Sequence, residues 1–347
     1  MTVSAAAQAN LRRQVETMSN GDMTVRFTAK GQPSYFYRLR KFTVQSLDAS
    51  LGTGVHPAFI VGGVEKDEIL IGVHQAAEVN GEMVSQAGLV PRVNINHDQA
   101  VTLARNTGTG FCVATNAMYA ALALQCRAAV RFPRGNNNYG RAYNATDEWG
   151  VNDSGNPTTG GSGHTVIRSG SGPIAWNHPA TPWGVQNLNG NVWEWSPGMR
   201  IVDSEIQIIA NNDAVLAATD LSSAGPWQAI LAADGTLVAP GTSGTVKFAV
   251  SGTTAGTLVC ASGGALSAMV ANSVSDAALQ RLKQLGLMQP GAPIEQDGFW
   301  VTTTGERLPL HGGNWIYGSR SGVFALSLLH ARSIADTTFG FRPAFVP

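Results

Sequence analysis

Charge is scarce in this chain. Only 13% of its 347 residues are Asp, Glu, Lys or Arg, and the formal net charge is zero. No basic face advertises nucleic acid or an anionic membrane, so a binder driven by phosphate contacts is not expected. Cysteine is nearly absent as well. Cys112, Cys126 and Cys260 stand far apart without CxxC spacing, too few and too scattered for a disulfide framework or a zinc cluster, and they read as buried small hydrophobes. No apolar run reaches the length of a membrane span, and the opening MTVSAAAQANLRRQVETMSNGDMTVRF lacks the apolar centre of a secretory signal. The expectation is a protein made in the cytoplasm without a conventional signal peptide and not inserted into a membrane. Also missing are GxSxG, a P-loop, HExxH and a GxGxxG that opens a helix, so no catalytic residue, metal or cofactor is expected.

What the chain does have is glycine, 40 in all, with much Asn, Ser and Thr between short apolar runs. That texture predicts a turn-rich α+β protein large enough for one big domain or two modest ones. Residues 5 to 19 place Leu11, Val15 and Met18 on one helical face. MTVRFT and YRLRKFTV predict a hairpin turning at Gly31 to Ser34, and HPAFIVGG and DEILIGVHQAAEV predict strands of a central sheet. Asn96 with Gln99 marks one helix start, and Thr115 caps the apolar segment NAMYAALALQCRAAV.

Residues 134 to 173 carry almost no aliphatic periodicity yet are too long for an ordinary loop, so side-chain hydrogen bonds or a ligand must hold them. Asp147, Glu148, Asn152 and Asp153 have calcium-type chemistry but match no fixed-spacing calcium loop, and Asx-turn scaffolding is the favoured reading. From 200 to 296, EIQIIA, WQAIL, TVKFAV and TLVCA alternate with Gly/Pro/Ser turns, which predicts a β-rich insert. It closes on a helix faced by Leu279, Leu282 and Leu285 and stopped at Gly286.

The strongest local motif is HPATPWGVQNLNGNVWEWSPG, residues 178 to 198, where Asn189-Gly190 suits a tight turn and Trp193 and Trp195 share one side of a strand. With HGGNW at 311 to 315 and GFRPA at 340 to 344, the chain resembles the formylglycine-generating-enzyme and sulfatase-modifying family. The resemblance implies a C-type-lectin-like fold with a β-rich insert and a small N-terminal region. It covers residues 56 to 199 and 297 to 347. The expected layout is 1–55 for attachment or oligomerisation, 56–199 plus 297–347 for the lectin-like domain, 200–296 for the insert and 310–347 for a variable region. The family's enzymes hold copper with C-terminal cysteines, one of them directly after GFR. Pro343 stands there, and no cysteine follows Cys260, so that chemistry has no thiolates; His311 and His330 are the only substitutes on offer.

The C-terminus, LHGGNWIYGSRSGVFALSLLHARSIADTTFGFRPAFVP, sets a rigid frame of glycines, FAL, ARS and GFRP around contents without pattern. In this it resembles the variable proteins of diversity-generating retroelements, in which error-prone reverse transcription randomises adenine positions, so that the frequent template AAC codons become NNC codons, which never encode Lys, Glu, Gln, Met or Trp. Ile316, Tyr317, Arg320, Ser327, Leu329, His330, Ile334, Ala335, Asp336, Thr337, Thr338 and Phe339 all belong to the permitted types. The resemblance implies that these bind ligand while Trp193, Trp195, Gly312, Gly313, Trp315, Phe324, Gly340, Phe341 and Arg342 form the scaffold. It further implies a non-catalytic receptor binder at a phage or prophage tail tip or on a host cell surface. The partner would be an unidentified surface receptor, protein or glycan, approached as a homo-oligomer or within a tail assembly. A formylglycine-generating-like oxidase with relocated chemistry and a non-diversified lectin-like adhesin remain the open alternatives.

Overall fold

The computed structural model describes residues 4–158, 166–292 and 296–347, and helices and strands are mixed along the whole of it. Among the described residues the α-helices are α1 (Ala5–Met18), α2 (His97–Thr107), α3 (Asn116–Ala128) and α4 (Asp276–Gln284). Each begins where a side chain satisfies an orphan N–H. Ser4 accepts from Ala7, Thr115 from Met118 and Ser275 from Ala278, while Asn96 and Gln99 close a reciprocal capping box at α2. Helix α3 is buried along nearly its whole length, as its run of Ala, Leu and Met requires; α1 buries none of its residues. No helix among the described residues is long and apolar enough to cross a membrane.

A five-stranded antiparallel sheet runs in the order Met23–Phe27, Pro33–Arg40, Glu68–Gly72, Pro343–Phe345, Phe111–Val113. The N-terminal hairpin thus supplies its edge, and the chain's last strand lies inside it. A six-stranded sheet follows the order Gly264–Ala265, Gly298–Val301, Gly322–Leu328, Leu310–Gly312, Trp193–Trp195, Phe339–Phe341. Residues 199 to 272 build most of a third sheet, which Glu306–Arg307 joins through Met199–Val202.

HPAFIVGG differs from its expected place. Pro57 opens a short 3-10 turn, because its fixed φ suits a first turn, and Ile60–Val61 pairs only with Val64–Glu65 across Gly62 and Gly63, both at positive φ. DEILIGVHQAAEV splits too. Glu68–Gly72 enters the five-stranded sheet, whereas Ala77–Val79 folds back on Glu82–Val84 over Asn80-Gly81, an Asn-Gly pair with both φ values positive.

Two large apolar clusters fill the interior. One holds Phe36, Phe111, Trp193, Trp195, Phe339 and Phe341. The other joins Leu39, Met118 and Leu326 to Ile206, Ile230, Phe248 and Leu258, so the β-rich stretch 200–296 shares its core with the residues on both sides of it. The rings of Phe248 and Phe299 lie 5.1 Å apart across that junction.

Candidate ligand-binding face

The strand Trp193–Trp195 organises the C-terminal region. Leu310–Gly312 runs antiparallel on one side of it and Phe339–Phe341 parallel on the other, with Trp193 opposite Phe339, Glu194 opposite Gly340 and Trp195 opposite Phe341. Alternation puts both tryptophans into one apolar cluster and turns Glu194 the other way. There Glu194 meets Arg342, whose Nε and Nη2 donate to the carboxylate at 2.9 and 2.7 Å. The remaining guanidinium hydrogens go to the carbonyls of Gly72, Val73, Gln186 and Asn187. Gln75 also donates to Glu194, at 2.8 Å, and the Tyr119 hydroxyl is a further partner. Desolvation and the adjoining carboxylate together push the Tyr119 phenol well above its ordinary pKa. Arg342 therefore ties the terminal strand to carbonyls of two other segments as well as to Glu194.

The same polar layer secures much of 134–173. Asn191 Oδ1 accepts from the Ile167 N–H and from Asn136 Nδ2, while its Nδ2 donates to Gln75 Oε1 at 2.7 Å. Gly190 makes this approach possible, since a Cβ there would lie 2.0 Å from the Asn136 carbonyl oxygen at a φ of +80°. Glu148 is engaged by Arg134 and by Trp176 Nε1, and Asn152 Oδ1 accepts the Asn156 N–H. These contacts match side-chain scaffolding. Among the described residues no group of three or more His, Cys, Asp or Glu is placed to hold a metal ion; residues 159–165 lie outside them.

Along 310–347 exposure separates frame from contents. Trp315, Phe324, Phe341 and Arg342 are buried, as is the whole strand Gly322–Leu328. Ile316 is 49% exposed and Ile334 41%, and Arg320, Ala335, Asp336 and Thr337 are exposed with them. Tyr317, Leu329, His330 and Thr338 are half-buried. Two expected ligand-binding residues are not on the face. Ser327 is 4% exposed, because Trp300 and Leu310 stand opposite it on the strands either side. Phe339 is 5% exposed, its ring 5.6 Å from Trp195 and 4.7 Å from His330, so it supports the face from beneath.

The exposed loop is itself well anchored. Arg332 grips Glu306 through two bonds of 2.7 Å and Asp98 at 3.1 Å, and its backbone carbonyl accepts from His97. The Arg332 guanidinium beside Glu306 holds that carboxyl below its usual range. Asp336 caps the following turn by accepting from the N–H and hydroxyl of Thr338. Burial lowers the His330 pKa and raises that of Tyr317, and the Asp336 carboxylate opposes the first shift and adds to the second. Trp300 was not among the sequence candidates. It is half-buried on Gly298–Val301, with its ring 4.9 Å from Tyr317 and 5.5 Å from Trp193. Alternation in GFWV, with Phe299 fully buried, was the signal that it faces outward.

Copper-thiolate chemistry finds no support in these thiols. Burial pushes Cys112 up to about 12 and raises Cys126 and Cys260 as well, so none is prepared as a thiolate. His311 is buried, stacked on Tyr119 at 4.7 Å and bonded to Asn116 at 3.1 Å, and His330 packs on Phe339.

Truncating a frame aromatic should be costly. Trp193→Ala, Trp195→Ala, Trp315→Ala and Phe324→Ala should each lose about 3–5 kcal/mol in chemical denaturation, by removing buried contacts and leaving a cavity.

No protein-family model matches the chain, and no curated protein matches it significantly. Similar solved structures include "Treponema denticola variable protein 1", at 10% identity and a TM-score of 0.34, covering 94% of this chain and 99% of that one. "Major Tropism Determinant U1 Variant" and "Major Tropism Determinant P3c Variant" align at 13% and 12% identity, both with a TM-score of 0.31. Each of these two alignments covers 90% of this chain and 62% of the determinant, so the chain spans under two thirds of their length. Superpositions this loose define no shared architecture, and the functional reading rests on the chain's own geometry.

Proposed function

We propose that this chain is a non-catalytic receptor-binding protein whose C-terminal face is diversified by a retroelement on a C-type-lectin-like scaffold. In this reading 56–199 and 297–347 form the lectin-like domain, 200–296 is inserted into it, and 1–55 attaches the protein to sister subunits or to a phage or prophage tail tip. The partner is a surface receptor, protein or glycan. One observation carries the reading: within 310–347 the residues of fixed pattern are buried apart from Gly318 and Ala331 to Ser333, and the patternless ones, Ser327 and Phe339 excepted, are exposed or half-exposed. Placement of Trp193–Trp195 between Leu310–Gly312 and Phe339–Phe341 supports a domain assembled from both sides of 200–296. An α1 that buries no residue and leaves Met18 67% exposed supports an attachment role for the N-terminus. A well-anchored face suits a randomised binder, because little ordering entropy is then lost on binding.

Substitution within the permitted amino-acid types tests the reading. Changes at Ile316, Arg320, Ala335 and Thr337 should shift stability by about 0.5 kcal/mol or less each, as at ordinary surface sites, and loss of the Asp336 cap on Thr338 should cost about 1 kcal/mol. They should still alter attachment to the cell surface that the native protein recognises. Tyr317 and His330 should cost more, because their rings pack on Trp300 and Phe339. Thermal melting of single variants with a cell-attachment assay reads both effects, and exposed sites that melt like the tryptophans would refute the proposal. In the genome, a reverse-transcriptase gene beside a near-copy of the 3′ coding segment that differs at adenines is the expected companion.

A further inference from the structure

A cavity of about 610 Å3, within the range of small-molecule sites, opens beside the C-terminal end of α2 and takes none of the residues of the variable face. Val61, Val64, Val215, Leu216 and Val346 give it aliphatic walls. Phe111 is the one aromatic side chain among the described residues of its lining, and it is 5% exposed, so no ring is offered for a sugar or a base to stack on. Lys66 and Arg105, both half-buried, are its charged side chains; no Asp or Glu lines it among the described residues. Lys66 Nζ donates to the Pro347 backbone oxygen at 2.9 Å, and Arg105 Nη2 donates to the carbonyls of Leu216 and Thr219 at 3.2 and 2.8 Å. Arg105 Nε and Nη1 have no partner among the described residues, and neither atom is buried. The neighbouring acids are engaged elsewhere. Glu65 and Asp67 pair with Lys41 at 3.3 and 3.0 Å, Asp213 accepts the Gly62 N–H at 2.6 Å, and Asp220 accepts from the N–H and hydroxyl of Ser222.

This lining selects its ligand by charge and by shape. Two carbonyls orient Arg105 without cancelling its charge, so an anion is favoured over a neutral molecule and a cation is opposed. The accessible Nε and Nη1 are left to give a carboxylate charge-assisted hydrogen bonds. A small inorganic anion would satisfy the guanidinium and leave the aliphatic walls in water, whereas a flexible methylene chain covers them. We propose that this cavity binds a medium-chain aliphatic carboxylate, its head on Arg105 beside Lys66 and its tail along Val61, Val215, Leu216 and Val346.

Calorimetry and saturation-transfer NMR on the full chain test this with octanoate, set beside acetate, inorganic phosphate, octanol and octyltrimethylammonium. Octanoate should bind with an affinity on the order of millimolar, roughly tenfold or more tighter than any of the others. Arg105→Gln and Val64→Asp should each weaken it roughly fivefold or more, the first by removing the cation and the second by adding a carboxylate to the wall. Val270→Asp, at an exposed site outside the cavity, should leave it unchanged. Val64 is 58% exposed, so Val64→Asp decides the matter if Arg105→Gln does not fold. The cavity shares no residue with the variable face, so its failure and the failure of the receptor-binding reading are separable. The proposal is overturned if octanoate does not bind or if any of the other four compounds binds as well. It is equally overturned if either cavity variant, folded, binds octanoate as well as the native chain, or if Val270→Asp weakens binding as much as Val64→Asp does.

Discussion

Acidification from about pH 7 to about pH 5 should unfold this protein. Four histidines are buried with strongly lowered pKa values, His56 and His178 to about 4 and His74 and His311 to about 3, in every case chiefly through desolvation of the charged ring. His56 gains something back from the Gln284 carbonyl, and Arg342 and Arg131 depress His74 and His178 further. In the unfolded chain each would titrate near 6.5, so between that value and the folded one the unfolded state binds the extra proton. Stability from these groups is thus complete above about pH 6.5 and lost as the pH falls. By pH 5 each contributes a loss of about 2 kcal/mol, and four together reach about 8 kcal/mol. That equals or exceeds much of the margin of an ordinary folded protein. Far-UV circular dichroism against pH should show one cooperative transition centred near pH 5. A signal unchanged down to about pH 4 would mean that these rings are hydrated in the folded chain.

The second large effect is expected at the buried ion pair. Arg342→Met should cost about 3–5 kcal/mol in urea unfolding, because Glu194 is 1% exposed and would keep its charge without a cation beside it. Carbonyls of Gly72, Val73, Gln186 and Asn187 would lose their donor in the same step. Adding Glu194→Leu should recover only part of the loss. It removes the stranded charge but leaves the Tyr119 hydroxyl and Gln75 Nε2 each short of a partner. A loss below about 1 kcal/mol in the single variant would show that water reaches this pair. The pair lies on the far side of the strand from Trp193, so its effect should fall on stability and leave the recognition of ligand unchanged wherever the protein stays folded.

Local chemistry was open to reading from the sequence. Asn96 with Gln99 and Thr115 ahead of an apolar run mark helix starts because a cap acts on N–H groups two or three residues away. The Trp193-Glu194-Trp195 alternation assigned two rings to one side because a strand has period two whatever its neighbours are. The division of 310–347 into glycine-bounded frame and irregular contents likewise anticipated most of its burial. Tertiary structure decided what depends on distant partners. Ser327 reads as filler by composition, yet it is buried because strands from Gly298–Val301 and Leu310–Gly312 close over both its edges. Phe339 became support because the parallel register sets it beside Trp193, and its ring packs on Trp195. Trp300 joins the face from outside the patterned segment. The β-rich stretch 200–296 shares a core with its flanks because Phe248, Ile206 and Leu258 bury themselves against residues far away in the chain. Periodicity tells which side of an element is apolar; only the packed chain settles what lies against that side, and so which residues are left to meet a ligand.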